Sequence, residues 1–557
     1  MKLDAALSKL LEQLEQTRFP LALPAADEHT SRRTTAAGQV RDYLLPRAAT
    51  IDAPLLAVVG GSTGAGKSTI VNSLLRRHVT RPGVRRPTTK SPVLICHPSD
   101  ASWFRSGKVL PELTRTDVEL ADTRALQIVE VASMPDGLAL LDAPDVDSVD
   151  DANRTLARQL LLAADLWLFV TSAARYADAV PWGFLKDAAA REMFLGVVIN
   201  RCPPQTMQEV GSDLARMLVD EGLGAAPLFV IEEGPLDEGM LPDAAVAPIR
   251  SWLGGLTSQQ EARAQVVKQS LGGALRQLDV HLDALQAGLD AQHQAAQDLR
   301  SQATAEFESA AEQIGIMLGD GSMLRGEIVN HWHDVVGTSS LMRGLDEKVA
   351  SLRSTARRWF RAEPKAEKAN EEVSSQLARV ITAAADEACD DVAQTWSHTA
   401  WGRALLTDEL RSAAPDFHER AAAAVRGWQQ DVLGLVSEQG KGKRFRARMF
   451  AFGTNALGLT LMVAVFASTG GLTGAEAGIA GTTSVLSQRV LESVFGAGAV
   501  ERLTAEARSL LDERVQSLLV EEAARFTTVV DEVSVAPGLR DRLAEAAADV
   551  REARAAL

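Results

Sequence analysis

Val58-Val59-Gly60-Gly61-Ser62-Thr63-Gly64-Ala65-Gly66-Lys67-Ser68-Thr69 is a glycine-rich turn set between two apolar runs. Gly61, Gly66, Lys67 and Ser68 fit the spacing G-x-x-x-x-G-K-[ST]. Upstream, Pro54-Leu55-Leu56-Ala57-Val58-Val59 reads as a buried parallel strand. Downstream, Ile70-Val71-Asn72-Ser73-Leu74-Leu75 continues as a helix. Strand, glycine turn and helix start form the context in which backbone N–H groups converge on a polyphosphate, with the helix dipole adding positive potential. Ser62, Thr63, Gly64, Ala65 and Thr69 complete that cradle. Lys67 is placed to reach β- and γ-phosphates, and the Ser68 hydroxyl to ligate Mg²⁺.

Working outward, the pattern from Pro54 to Ile231 alternates strands and helices. Strands are expected near 55–59, 92–97, 127–132, 138–142, 165–171, 194–199 and 227–231. Several are continuous apolar runs, as in a sheet covered on both faces. Asp142 ends the run Leu138-Ala139-Leu140-Leu141, within L-L-D-A-P-D-V-D-S-V. A carboxylate at a strand's C-terminal end can hold Mg²⁺ through a water. Between the glycine loop and Asp142 lies Arg86-Pro87-Thr88-Thr89. There a threonine hydroxyl or carbonyl can ligate Mg²⁺ only while a γ-phosphate is present, which makes it a sensor. After the 194–199 strand come Asn200-Arg201-Cys202-Pro203.

In this order the elements resemble those of the translation-factor-related GTPases, and most closely the bacterial dynamin-like branch with its P-T-T switch. Asp142-Ala143-Pro144-Asp145 is similar to D-x-x-G, with Asp145 in place of the glycine. Asn200 matches the first residue of N-K-x-D, Arg201 stands for the lysine, and Pro203 stands where the guanine-reading aspartate belongs. The resemblance covers residues 54–235. It implies GTP and GDP as ligands, Mg²⁺ as cofactor, and slow hydrolysis that often accelerates when two heads meet. It assigns catalysis to Lys67, Thr88, Thr89 and Asp142, the metal to Ser68, Thr88, Thr89 and Asp142, and base contacts to Asn200 and Arg201. Eukaryotic dynamins carry a catalytic glutamine three residues before the G-K-S; here that position is Thr63, so Ser62 and Thr63 are the candidates to position water.

Beyond Trp252 the strand signals stop. Leu271, Leu275, Leu278, Leu282, Leu285 and Leu289 are spaced 4-3-4-3-4, followed by a polar Gln292 and then Ala296, Leu299 and Ala303. That heptad seam predicts a long helix, packed either within its own chain or against another. Residues 370–437 and 499–530 also read as helical. Trp332, Trp359, Trp396, Trp401 and Trp428 read as core anchors, and Arg353–Lys368 as a charged turn or linker. Residues 1–50 read as helices, with Leu3, Leu7, Leu10, Leu11 and Leu14 on one face.

Met449–Ser468 carries no charge and is apolar all round a helix; a second, weaker run follows from Leu472 to Leu486. Its strong residues give about −2 to −5 kcal/mol for insertion into a bilayer. Lys441, Lys443, Arg444, Arg446 and Arg448 precede it, each able to contribute about 1 kcal/mol on an anionic leaflet. Two readings stand: a paddle that enters an anionic lipid membrane through residues 441–488, or a hairpin buried in a helical bundle. The paddle is the preferred expectation, and it too resembles the dynamin-like layout.

The fold expected is therefore an α/β P-loop GTPase domain plus a large extended α-helical bundle or stalk with an apolar hairpin tip. Its parts are N-terminal helices (1–50), the GTPase domain (51–256), the stalk (257–440), the basic flank and hairpin (441–490) and returning helices (491–557). Oligomers, homo- or hetero-, are expected through heads or stalk. The chain holds 58 Lys plus Arg and 73 Asp plus Glu, a net charge of −15, which argues against nucleic acid as a partner. Cys96, Cys202 and Cys389 lie far apart without metal-ligand spacing. Those cysteines suit a reducing cytoplasm, and an amphipathic N-terminus with Asp4, Glu12 and Glu15 is unlike a secretory signal. The expectation is a cytoplasmic protein attached to the cytoplasmic membrane, peripherally or by the hairpin. An ATP-using P-loop ATPase and a non-hydrolysing, nucleotide-gated scaffold are the alternatives.

Overall fold

The computed structural model describes residues 2–50, 53–80, 91–107, 109–110, 113–118, 120, 124–148, 151–257, 260–319, 363–438, 454–467 and 487–555. They form two units. The first comprises Met1–Phe19, Pro24–Ala291 and Val535–Leu557; the second comprises Pro20–Leu23 and Gln292–Ser534.

The first unit is built on an eight-stranded sheet: β1 (Leu55–Gly61), β2 (Val93–Cys96), β3 (Thr114–Thr116), β4 (Ala125–Glu130), β5 (Leu138–Asp142), β6 (Leu166–Ser172), β7 (Phe194–Cys202) and β8 (Leu228–Glu232). The order is β3-β4-β2-β5-β1-β6-β7-β8, and every pairing is parallel except β2 with β5. All seven expected strands are present. β3 was not foreseen, because Thr114-Arg115-Thr116 at the sheet edge has no apolar run to announce it.

Alternation explains why the central strands read as continuous apolar runs. In β1, Leu56 and Val58 pack on one face with Phe104, Leu160 and Trp167. Leu55, Ala57 and Val59 pack on the other with Ile70, Leu74 and Ile249. With both faces covered by helices, no position in the strand is left for a polar side chain. Arg47, at the end of the N-terminal helices, meets Asp165 at 3.0 Å, both nearly fully buried. The second oxygen of Asp165 accepts the Leu56 N–H at 2.8 Å, which pins the start of β1.

The heptad seam packs within its own chain. Leu271, Leu275, Leu278, Leu282, Leu285 and Leu289 of the helix Gln260–Gly319 are buried against Leu7, Leu10 and Leu14 of the helix Leu3–Gln16 and Leu543 and Val550 of the helix Leu539–Ala555.

The second unit is helical: Gln292 onward of the same long helix, then Glu363–Ser397, Ala400–Leu405, Phe417–Glu438, Thr454–Ala467 and Ala497–Glu532. The polar Gln292 is explained here. Its side chain donates to Leu21 O at 2.7 Å and accepts from Leu21 N at 2.9 Å, closing a buried backbone pair. Trp396 and Trp428 are fully buried, Trp401 partly; Trp332 and Trp359 lie outside the described residues. Residues 363–368 belong to a helix rather than to the linker expected over Arg353–Lys368.

Of the expected paddle, the structure describes the helix Thr454–Ala467. Among the described residues no helix is long and apolar enough to cross a membrane. Leu457, Leu459, Leu461, Met462, Val463, Val465 and Phe466 are all buried in the helical core. Phe466 packs on Trp428 with ring centroids 5.8 Å apart. A helix apolar on every side is equally suited to a bilayer and to the centre of a bundle, and here neighbouring helices cover it. The basic run 441–448 and the remainder of the expected hairpin, 449–453 and 468–486, lie outside the described residues.

Candidate functional site

The sheet order places β1 between β5 and β6, so the segments leaving β1, β5, β6 and β7 meet at one edge. Ligands of open α/β sheets bind at such edges. The phosphate loop leaves β1 here. Gly61 has φ 144° and Gly66 φ 92°, and a Cβ at either would collide, with Val170 O and with the Asn200 side chain respectively. Glycine is therefore required at both positions by backbone geometry and by close approach. Gly64, at φ 77°, faces open space. Ser62 N donates to Val170 O at 3.2 Å, tying the loop to β6. Its Oγ is buried and has no hydrogen-bond partner among the described residues. Thr69 is buried in the helix Lys67–Leu75, which Gly66 caps.

The Lys67 ammonium is nearly buried. It donates to Gly61 O at 3.1 Å, to Ser62 O at 3.2 Å and to the carboxylate of Asp145. Ser68 Oγ donates to Asp142 Oδ2 at 2.7 Å, while Asp142 Oδ1 is buried without a hydrogen-bond partner among the described residues. Burial pushes the Asp142 carboxyl up from its ordinary range, and the Ser68 hydrogen bond and the Lys67 charge act in the opposite sense. A hydroxyl and an orphaned carboxylate oxygen, side by side at the helix start, are the hard-oxygen donor set that suits Mg²⁺.

Thr88 and Thr89 lie outside the described residues. Asn200 is buried, and its Nδ2 donates to Ala65 O at 2.8 Å while its Oδ1 accepts from Arg201 N at 2.9 Å. The amide thus supports the loop from below. Arg201 is exposed, with φ 55° at an irregularity in the β7–β8 pairing.

Three residues of the site escaped the sequence reading as partners of the loop. Asp145, noted only as a replaced glycine, pairs with Lys67. Asp147 Oδ1 accepts both the N–H and the hydroxyl of Thr63, each at 2.6 Å. Arg175, after β6, meets Asp147 at 2.6 Å and Asp178 at 2.8 Å and donates to Thr63 O at 3.1 Å. The repeated carboxylates of D-A-P-D-V-D were a signal for the first two; Arg175 had none.

No protein-family model matches the sequence, and no curated protein is significantly similar to it. Two solved structures match the chain, both described by the words "an oligomerised bacterial dynamin pair provides a mechanism for the long-range sensing and tethering of membranes". One matches 99% of this chain and 95% of its own at 11% identity and TM-score 0.45. The other matches 100% and 94% at 11% identity and TM-score 0.35. The chain is similar to bacterial dynamins. What the site can bind follows from its own geometry: a glycine cradle, one buried ammonium, and a hydroxyl–carboxylate pair beside it.

Proposed function

We propose that the chain is a dynamin-like GTPase, using GTP and Mg²⁺, whose head couples nucleotide binding and hydrolysis to movement or assembly of its helical part on a membrane. The observation that carries the nucleotide reading is the convergence of Lys67 Nζ, Ser68 Oγ and the Asp142 carboxylate at the mouth of a glycine loop. The backbone N–H groups at the start of the helix Lys67–Leu75 orient phosphate oxygens, and Lys67 neutralises them. Ser68 and Asp142 would hold Mg²⁺, Asp142 through a water. Bound there, the cation would draw charge from the β- and γ-oxygens and so favour attack at the terminal phosphorus. Thr88 and Thr89 complete this reading as the switch that senses the γ-phosphate.

Base preference follows from Asn200. Its amide is engaged with Ala65 and Arg201, and Pro203 offers no carboxylate to guanine. GTP is preferred over ATP, but by less than a buried aspartate provides. That same engagement is what favours the ATP-using reading as a second possibility. Competition for labelled GTP, with and without anionic liposomes, separates them: displacement by equal ATP moves the chain to the ATP-using class. Single-turnover hydrolysis separates an enzyme from a nucleotide-gated scaffold. Membrane attachment is proposed through residues 441–488, led by the basic run 441–448; the helix 454–467 within that stretch is covered by neighbouring helices. Replacing Lys441, Lys443, Arg444, Arg446 and Arg448 with Gln reduces sedimentation with anionic vesicles and leaves nucleotide binding intact. Undiminished capture would remove the electrostatic part of this proposal.

A further inference from the structure

The segment leaving β5 lies along the phosphate loop and engages it residue by residue. Ala143 N donates to Val59 O at 3.2 Å, and Val146 N to Gly61 O at 3.3 Å. Between and beyond these backbone bonds, Asp142 takes Ser68, Asp145 takes Lys67 and Asp147 takes Thr63. Arg175 then holds Asp147 and the Thr63 carbonyl from the other side.

An ammonium has three N–H donors. Those of Lys67 go to Gly61 O, Ser62 O and Asp145, so its donor set is complete. The two carbonyls belong to the loop itself and stay with it. Only Asp145 can leave. A polyphosphate therefore reaches Lys67 by exchanging an oxygen of its own for a carboxylate oxygen of this chain.

We propose that residues 145–147 form an acidic strap on the phosphate loop, with the Asp145 carboxylate acting as a built-in competitor for the phosphate oxygens of the nucleotide. The proposal rests on the nucleotide-binding reading above and adds its regulation. The strap makes loading an exchange rather than a simple addition. It also links loading to the segment after β6, since Asp147 and Asp178 share Arg175.

The test uses the full chain and three probes: fluorescently labelled GTP, labelled GDP and inorganic pyrophosphate as competitor. Asp145→Asn keeps the shape and removes the charge. It is expected to tighten all three by about tenfold, the scale of one charge-assisted hydrogen bond. Asp145→Ala must move affinity in the same direction, so a folding defect in one variant does not decide the matter. In a Lys67→Ala background the gain must disappear, because the competitor then has nothing to compete for. Unchanged or weaker binding in both Asp145 variants, with Lys67→Ala in the otherwise wild-type chain still weakening binding roughly a hundredfold, overturns the strap and leaves the nucleotide reading standing. If folded wild type and both Asp145 variants bind none of the probes, the nucleotide reading itself falls and the strap with it. Binding that appears only when Asp145 is neutralised supports the strap.

Discussion

Burial raises the Asp142 carboxyl, with the Ser68 hydrogen bond and the Lys67 charge opposing it. At Asp147 burial acts the same way, yet the two Thr63 bonds and the Arg175 guanidinium outweigh it, and this carboxyl lies below its ordinary value of 3.8. A folded-state value below the unfolded one means that the charged form is favoured by folding. The stabilisation is complete above pH 3.8 and is lost as pH falls through the lower folded value. The wild-type chain should therefore exceed Asp147→Asn in urea resistance by a constant margin from neutral pH downward. That margin should close only once the acid range is reached; one that closed near pH 6 would show that another group is responsible. At the same scale, Lys67→Ala should weaken labelled GTP roughly a hundredfold or more, since a buried charge-assisted contact is removed. Asp142→Ala should instead retain part of the binding and lose Mg²⁺-dependent turnover. Full turnover in that variant would mean the metal ligand is misassigned.

The long helix Gln260–Gly319 shows how much one element can carry from pattern alone. Its leucine spacing was legible because a seam repeats every few residues within one segment. Which surface meets the seam was not legible, since Leu7, Leu14, Leu543 and Val550 are hundreds of residues away in sequence or separated by a domain. Gln292 looked like a break in the seam, and only the fold supplied Leu21 as its partner. Gln292→Leu should cost about 1–3 kcal/mol, the penalty of leaving buried backbone groups unpaired, read as a lower urea midpoint with an unchanged slope. Little or no change would mean that Leu21 finds other partners. The helix Thr454–Ala467 makes the opposite point. Leu461→Asp with Val463→Asp places two unpaired charges in a covered core, so the variant should unfold or aggregate without any lipid. A variant that stays folded and only loses vesicle capture would return this helix to the membrane.

At the scale of the whole molecule, the sheet unit and the helical unit each have their own buried clusters. Ligand that binds one folded unit raises its stability by mass action. GTP with Mg²⁺ should raise the melting transition reported by the sheet unit, for example by exchange protection of β1 and β6. The helix Phe417–Glu438 should gain less. Equal gains in both would show that the two units unfold as one cooperative body. The glycine loop and the seven main strands followed from the sequence by itself, because glycine spacing, apolar runs and strand ends are local properties of the chain. Gly61, Gly66, Lys67, Ser68 and Asp142 could be read for the same reason. Only the tertiary structure decided that Asp145 pairs with Lys67 and that Asp147 takes Thr63 and Arg175, since those contacts join segments far apart in the chain. It also decided what covers the apolar helix: hydrophobic pattern states that a surface must leave water, but not whether protein or lipid receives it.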